Sequence, residues 1–344
     1  MKSIAIVILN WNGVEMMRRF LPSVVQHSPQ AEVFVVDNGS TDDSLAWLSE
    51  ALPEVRQVKL DRNYGFAEGY HRGLRLLPAS FRYYLLLNSD VEVRAGWLDA
   101  MLAYMDAHPE VAACQPKLLC QWSPEHFEYA GGSGGYIDAW GYPYCRGRVL
   151  STVEKDEGQY DDVVPLLWAT GAALLIRSAD YWAVGGLDGR FFAHQEEIDL
   201  CWRLCSRGRK VVVVPQSVAY HLGGGTLSQG SPRKTYLNFR NNLLLLYKNL
   251  PDARLRSVMR VRFFLDALAS LQFLLTGQWQ SFCAVWRARR DFWKMRPDFD
   301  ADRAENLRLS QLSPVPVQSA FSLLWQYYVR RRKTFDQLPP IHKD

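Results

Sequence analysis

Four short polar clusters in the sequence have residue types and spacings suited to binding or catalysis. Each contains a carboxylate or an imidazole, side chains that bind metals and move protons. In chain order they are Asp37 in VVDNGSTDDS, Asn88-Ser89-Asp90 in LLLNSDVEV, Glu196-Glu197-Ile198-Asp199, and His221 before the glycines at 223–225. What they can do together depends on the elements that position them.

The first two clusters each follow an apolar run. A carboxylate at Asp37 could accept hydrogen bonds from a ribose or a base edge, or it could cap the helix that follows. Asn88 and Asp90 share a face in an extended segment, because alternate side chains of a strand point the same way. An amide beside a carboxylate suits Mg²⁺ or Mn²⁺, which takes few protein oxygens alongside phosphate oxygens. An ordinary turn at the end of a strand explains the same residues.

The other two clusters offer a base and a further metal ligand. Acids at the start of a helix stabilise its N-terminus, but here two phenylalanines precede them. A carboxylate in such apolar surroundings has a raised pKa and can act as a base. His221 follows a predicted strand, where a neutral imidazole could bind a transition metal or serve a structural role.

Apolar runs predict the strands that carry these clusters. The runs alternate with helical segments through the first 115 residues, which predicts an α/β fold with a mostly parallel central sheet flanked by helices. The predicted strands are Ile4–Leu9, Val33–Val36, Val55–Leu60, Tyr83–Leu87 and Val111–Cys114. Three of them end in polar residues, at 10–12, 37–40 and 88–90. Ligands bind at the carboxyl ends of strands in such sheets, so these residues are expected to share one rim.

Length and charge divide the chain in two. The 344 residues are 48% hydrophobic and 22% charged, typical of a globular protein of about two domains. We place a boundary at Gly230, which gives a catalytic region of residues 1–230 and a helical region of residues 231–344. Residues 1–231 hold 20 basic and 27 acidic residues, a net charge of −7, and the remainder holds 20 and 9, a net of +11. The basic part predicts an anionic partner.

Several classes of protein are disfavoured by missing patterns. The six cysteines form no CxxC pair, which favours free thiols in a reducing cytoplasm. The N-terminus reads as a strand and not as a signal peptide, and no apolar run is long enough to predict a membrane-spanning helix. Neither a G-x-G-x-x-G nor a Walker A sequence is present, which argues against a dehydrogenase and a P-loop NTPase.

Seven segments in a fixed order resemble the family 2 glycosyltransferases, which have the GT-A fold. They cover about residues 3–225 and are VILNWNG, VVDNGSTDDS, NYGFAEGYHRGL, LLLNSDVEV, ATGAALLIR, EEIDLCWR and AYHLGGGT. The pattern is most similar to the rhamnosyltransferase-like branch, which builds bacterial surface polysaccharides. The resemblance implies sugar transfer, with inversion, from a nucleotide sugar such as dTDP-rhamnose or a UDP-sugar to a glycan or lipid-linked acceptor.

The resemblance also implies roles for individual residues. It implies that Glu197 is the base, with Glu196 beside it, and that Asp199 orients the acceptor or the helix. It implies that Mn²⁺ or Mg²⁺ is the cofactor, bound at Asp90 and His221. The residues expected to bind the nucleotide sugar are Asn10, Asn12, Asp37, Asn63, Gly69, Asn88 and Gly171. Asn88 stands where the family's D-x-D motif has its first Asp, which concentrates metal binding on Asp90.

The basic C-terminal region supplies arginines beside aromatic and apolar residues. Such a pattern favours helices that lie on an anionic membrane surface, and it would place the protein on the cytoplasmic face of the inner membrane. Alternatively, the apolar faces pack on the catalytic region or on a second subunit in a homodimer. No nucleic-acid-binding module is recognisable, so nucleic acid is not expected as a partner.

Two other functions remain open at this point. A sugar nucleotidyltransferase would share the α/β layout, but Asn-Trp-Asn-Gly stands at residues 10–13, where its glycine-rich phosphate loop is expected. A catalytically degenerate binding scaffold is supported only by Asn88. The retained acids and His221 argue against it.

Overall fold

The computed structural model describes residues 2–223 and 230–341. The strands in these residues are β1 (Ile4–Asn10), β2 (Glu32–Asp37), β3 (Arg56–Lys59), β4 (Tyr83–Leu87), β5 (Val91–Val93), β6 (Val111–Cys120), β7 (Ser123–Phe127), β8 (Gly135–Ile137), β9 (Pro143–Cys145), β10 (Arg148–Val149), β11 (Thr152–Val153), β12 (Val164–Leu166), β13 (Ala173–Arg177) and β14 (Lys210–His221). The α-helices are α1 (Val14–Gln26), α2 (Ser44–Ala51), α3 (Gly65–Arg75), α4 (Trp97–Ala107), α5 (Ser178–Ala183), α6 (Glu196–Ser206), α7 (Pro232–Asn249), α8 (Asp252–Leu275), α9 (Trp279–Met295) and α10 (Asp300–Leu309).

The main sheet has the order β12-β14-β6-β13-β4-β1-β2-β3, which confirms the predicted α/β class with helices on both sides. Strands β3, β2, β1 and β4 are mutually parallel, as predicted. Strand β13 runs antiparallel between β4 and β6. The chain reaches β13 through the long excursion of residues 120–172 instead of a helical crossover, and only a crossover would impose a parallel arrangement. The predicted GT-A type of sheet is therefore mixed in its second half.

Strand β1 shows why the sheet is covered on both faces. Its alternate side chains enter two different hydrophobic clusters: Ile6 faces α1 and α4, and Val7 faces α3 and the elements beyond it. All five residues of β4 are likewise buried. Continuous apolar strands are stable only where helices cover both faces, so the carboxyl-end rim is where polar side chains can reach a ligand.

The C-terminal helices share the core of the sheet. Residues 243–246 of α7 are fully buried in the same hydrophobic cluster as Val211 and Val213 of β14. A later segment returns to the small sheet formed by β8 to β11, where the Ser319 amide donates to the Ile137 carbonyl at 3.0 Å. The division at residue 230 stays a prediction, but α7 is packed as part of the catalytic core.

Two further observations bear on the sequence predictions. All six cysteines are free thiols, and only Cys283 is exposed. Within residues 2–223 and 230–341, every helix is too short or too polar to cross a bilayer.

Candidate functional site

The ends of β1 and β2 are tied together by a buried network. Asn10 and Asp37 are register partners, and the Asn10 amide donates to Asp37 Oδ1 at 3.0 Å and to Ser40 Oγ at 3.1 Å. The same hydroxyl accepts the Asn12 backbone N–H at 2.9 Å. Asn10 Oδ1 is buried without a hydrogen-bond partner in the described structure. It is an acceptor that remains available to a bound ligand.

Asn38, which the sequence analysis did not single out, joins a third loop to this rim. Its amide donates to Asn63 Oδ1 at 3.1 Å and to the Gly65 carbonyl at 3.0 Å. Its own oxygen accepts the Tyr64 N–H at 3.0 Å. The signal for Asn38 was its place directly after Asp37, at the end of a buried strand.

Close packing of α3 against the ends of β1 and β2 explains why residue 69 is a glycine. A Cβ atom at this position would lie 2.9 Å from Leu9 Cδ1 and 3.0 Å from Asn38 Nδ2. Only glycine therefore lets α3 approach the ends of β1 and β2 this closely. The expected contact of Gly69 with the nucleotide sugar stays a prediction.

The pairing of β14 with β5 brings the predicted metal-binding residues together. His221 is the register partner of Val91, and its Nε2 lies 3.1 Å from Asp90 Oδ1 and 3.4 Å from Asn88 Nδ2. Its Nδ1 lies 3.3 Å from Glu128 Oε1. Glu128 follows β7 and is buried, and no sequence motif marks it.

These close contacts set the charge states. Burial lowers the pKa of His221, but the carboxylates of Glu128 and Asp90 outweigh it and raise that pKa to about 10. Burial raises the pKa of Asp90, and the hydrogen bond and charge of His221 more than compensate, so that pKa is lowered. An imidazolium thus lies between two carboxylates.

The donor set is compatible with a divalent cation held by few protein ligands. Residues 2–223 and 230–341 contain no cluster of three or more His, Cys, Asp or Glu side chains arranged as a metal site. Asp90 and His221 nevertheless offer a carboxylate oxygen and an imidazole nitrogen at one point, both of which bind Mn²⁺. A metal there would displace the imidazole proton, because only the neutral ring is a ligand.

The acids that open α6 are the strongest candidates for proton transfer. Glu196 is buried and Glu197 is partly exposed, and the Oε2 atom of each is buried without a hydrogen-bond partner among the described residues. Burial raises the pKa of Glu197 to about 7, against the lowering effect of backbone hydrogen bonds. Burial and the Glu197 charge raise the pKa of Glu196 well above its ordinary value. Glu197 can therefore exchange a proton near neutral pH.

Gly171 borders this base. A Cβ atom at Gly171 would lie 3.8 Å from Glu197 Cβ and 3.5 Å from the Phe66 ring. The loop before β13 thus passes closely over the start of α6, and the absence of a side chain keeps the space beside Glu197 open.

Asp199 faces away from the two glutamates. It is fully buried, and its carboxylate accepts hydrogen bonds from Arg203 at 2.8 Å, from Lys248 at 2.9 Å and from Asn249 at 2.8 Å. Burial raises the pKa of Asp199, but Arg203 and Lys248 outweigh it and lower that pKa. Of the two predicted roles, these contacts support orienting the helix, because they fasten α6 to α7.

The residues directly before α6 have an unfavourable backbone. Phe192, His194 and Gln195 have φ angles of 66°, 72° and 72°, in the left-handed region that non-glycine residues avoid. Each such residue costs about 1 kcal/mol or more and persists only where its surroundings enforce it. We call residues 192–195 the base loop, because they set the position of the glutamates that follow.

Helix α7 holds the base loop in place. The Asn241 amide donates to the carbonyl of Phe191 at 2.9 Å and to those of Ala193 and His194 at 2.8 Å each. The Asn242 amide donates to Gln195 Oε1 at 2.9 Å. Neither asparagine belongs to a sequence motif described above. The one sequence feature that could have identified them is their position, because two polar residues directly before four leucines in a helix predict buried amides that need hydrogen-bond partners.

Replacing Asn241 is expected to destabilise the protein. Asn241→Leu removes the side-chain donor of the Ala193 and His194 carbonyls and one of the donors of the Phe191 carbonyl, at a cost of about 2–4 kcal/mol in the free energy of unfolding. Urea denaturation measures the loss. The exposed helical residue Gln272 provides a matched control, and Gln272→Leu is expected to change stability by less than about 0.5 kcal/mol. Equal stability of the two variants would contradict the assigned role of Asn241.

The chain is similar to known glycosyltransferases in sequence and in fold. Residues 5–154 match the sequence profile of glycosyl transferase family 2. The N-acetylglucosaminyl-diphospho-decaprenol L-rhamnosyltransferase of Mycobacterium tuberculosis is 26% identical over 233 residues, which are 63% of this chain and 75% of the relative.

Two solved structures share the fold. GalNAc-T7 with UDP, GalNAc and Mn²⁺ superposes with a TM-score of 0.59 at 15% identity, over 93% of this chain and 59% of that one. Mannosyltransferase PcManGT of Pyrobaculum calidifontis, with GDP-Man and Mn²⁺, gives a TM-score of 0.51 at 13% identity, over 89% of this chain and 85% of that one. Residues 5–154 therefore match glycosyl transferase family 2, and the chain has the GT-A fold of these solved glycosyltransferases. Its similarity to curated rhamnosyltransferases supports a place in the rhamnosyltransferase-like branch.

Proposed function

We propose that the chain moves a sugar from a nucleoside diphosphate sugar to a hydroxyl of a glycan or lipid-linked acceptor in cell-surface polysaccharide synthesis. The observation that carries the proposal is Glu197. It is partly exposed, its Oε2 atom is buried with no hydrogen-bond partner in residues 2–223 and 230–341, and its pKa is raised to about 7. The name of the M. tuberculosis relative, with its decaprenol-linked acceptor and rhamnosyl group, supports this acceptor class and makes dTDP-rhamnose a candidate donor beside UDP-sugars.

The proposed mechanism is a single displacement with inversion. The Glu197 carboxylate takes the proton of the acceptor hydroxyl, and that oxygen bonds to the anomeric carbon from the face opposite the leaving group. The bond from the anomeric carbon to the diphosphate oxygen breaks, and the nucleoside diphosphate departs with the electron pair. Burial and the charge of Glu197 raise the pKa of Glu196 well above its ordinary value, which favours the neutral form of Glu196 beside the Glu197 carboxylate.

The donor is proposed to lie along the rim where the strands end. Asn10, Asn12, Asp37 and Asn63 belong to loops that are already fixed to one another, so they can bind the nucleotide without reordering. Asp90 and His221 would hold Mn²⁺ or Mg²⁺, with Asn88 beside them. When bound, such an ion neutralises charge on the leaving diphosphate.

The match of residues 5–154 to glycosyl transferase family 2 and the names of the relatives support a glycosyltransferase enzyme over the nucleotidyltransferase and scaffold alternatives. A cytoplasmic location, contact of the C-terminal helices with an anionic membrane surface and a homodimer belong to the proposal. Helix α8 divides in this respect: Val258 in its first half is buried in the core, with Leu255 and Met259 packed against it, whereas Phe264 and Leu275 in its second half are exposed.

Glu197→Gln is expected to abolish transfer while nucleotide-sugar binding stays nearly intact. The amide keeps the size of the side chain but cannot accept the proton, and losing a general base costs about 10²–10⁴-fold in rate. Turnover and donor affinity are measured on the same preparation. Asp199→Asn is the comparison, because Asp199 contacts α7 and is expected to affect stability first. Full turnover by Glu197→Gln would remove Glu197 from this role.

The rate of transfer is expected to rise with pH through about 7. The pKa of Glu197 is raised in the folded protein, and only its deprotonated form accepts a proton. The turnover number is therefore low below this pKa and reaches a plateau above it. A profile that is flat between pH 5 and pH 9 with chemistry rate-limiting would show that another group is the base.

Asp90→Ala is expected to weaken donor binding in a metal-dependent way. The variant removes one of the two proposed ligands and leaves His221 paired with Glu128. Titration of the donor with and without Mn²⁺ is the measurement, and the benefit of Mn²⁺ seen in the unaltered protein should shrink at least tenfold. An unchanged Mn²⁺ dependence would place the metal elsewhere.

A further inference from the structure

The second half of helix α8, from Arg262 onwards, has its polar and apolar faces reversed relative to an ordinary surface helix, whereas the first half packs on the core through Val258. The inner face of the second half buries Arg262, Asp266 and Ser270, spaced four residues apart. Its outer face exposes apolar side chains, of which Phe264 is 70% and Leu275 is 78% exposed. A helix in water normally buries its apolar stripe and exposes its charges. The reversal indicates that the outer face meets an apolar phase.

The exposed apolar residues form one continuous surface. Phe264, Leu268, Leu271 and Leu275 lie on one stripe of α8, because they are spaced by four, three and four residues. Leu274 and Trp279 lie beside this stripe, near the turn into α9. We call this surface the hairpin patch, and it consists of Phe264, Leu268, Leu271, Leu274, Leu275 and Trp279. Contiguous apolar surfaces of this kind mark interaction sites, whereas single exposed apolar residues do not.

The charges around the hairpin patch are of one sign. Asp266 is the only acidic residue between positions 253 and 290, and it is fully buried and paired with Arg262 and Arg289. Arg260 lies one turn before Phe264 and Arg256 lies two turns before it, on the same stripe of α8, and both arginines are exposed. An anionic surface is therefore attracted, whereas a second copy of this positively charged face would be repelled.

The hairpin patch lies at the same end of α7 as the site. The chain folds back at residues 250–251, because Arg262 of α8 donates a hydrogen bond to Asn242 of α7 across this turn. From that contact α8 continues for about 20 Å to Leu275, and α7 extends about 15 Å back to its first residue, at 1.5 Å per residue. Near that end of α7, Arg233 lies over the ring of Phe192 in the base loop.

We propose that the hairpin patch docks the protein onto an anionic lipid surface, with its apolar side chains among the acyl chains and Arg256 and Arg260 at the headgroups. This orientation turns the base-loop side of the molecule towards the membrane. A hydroxyl presented by a membrane lipid would then reach Glu197. The purpose of docking rests on the proposed transfer to a lipid-linked acceptor, but the binding itself does not.

Vesicle flotation of the intact protein tests the docking surface. The probes are vesicles of phosphatidylcholine with and without phosphatidylglycerol. The unaltered protein should float with the anionic vesicles and lose most of its binding in high salt. Leu271→Glu and Leu275→Glu should each weaken binding about tenfold or more, because each exchanges an inserted side chain for a charge. Leu76→Glu changes an exposed leucine directly after α3, whose exposure of 61% lies between those of Leu271 and Leu275; it is the matched control and should bind as the unaltered protein does.

The outcomes separate docking from catalysis. Thermal unfolding checks that the Glu variants fold, and transfer to a water-soluble acceptor should be unchanged in them. Loss of flotation with intact soluble transfer supports the proposal. Failure of the unaltered protein to float, flotation independent of anionic lipid, or equal binding by Leu275→Glu and Leu76→Glu would overturn it. Flotation without any transfer would contradict only the proposed function.

Discussion

The position of the proposed base depends on a loop whose backbone conformation is unfavourable and is stabilised by hydrogen bonds from other elements. Three non-glycine residues of the base loop adopt left-handed conformations immediately before Glu196 and Glu197. Their cost is offset by hydrogen bonds from Asn241 and Asn242 of α7 and by the backbone of α3, whose Phe66 N–H donates to the Phe192 carbonyl at 2.7 Å. The catalytic glutamates are therefore held by residues outside their own helix. These residues belong to α3, which lies far before the glutamates in the sequence, and to α7, which lies after them.

This constraint explains why α7 and α6 share so many buried polar contacts. The contacts of Asp199 with Lys248 and Asn249 fix the first turn of α6, while Asn241 fixes the loop before that turn. With α6 immobile, the Glu197 side chain can remain in a poorly solvated place where its pKa is high enough to accept and release a proton. The same burial makes two ionised glutamates side by side unfavourable, and so separates the roles of Glu196 and Glu197.

The sequence predicted those parts of the site that lie at the ends of strands. Buried apolar runs such as Ile4–Leu9 located the strands, and the polar residues after them, Asn10 and Asp37, were found paired across β1 and β2. The local sequence pattern was sufficient to predict that these residues lie together, because neighbouring parallel strands end at the same edge of the sheet. Glu128 and Asn241 could not be found in this way. Their contacts join residues about 93 and 50 positions apart, and no periodicity encodes such pairings. Gly69 and Asp199 differ from these two residues, because both were identified from sequence motifs. In the structure, each also has a packing role that the motif did not predict.

The most direct test of the account is a thermal-shift screen of the intact chain with nucleoside diphosphate sugars, with and without Mn²⁺ or Mg²⁺. A ligand at about 100 times its dissociation constant stabilises a protein by about 2.7 kcal/mol, which corresponds to a shift of a few degrees in Tm. The account predicts such a shift for the sugars of one nucleotide, strengthened by the metal and retained in Glu197→Gln. Absence of a shift with dTDP-, UDP- and GDP-sugars alike would contradict it.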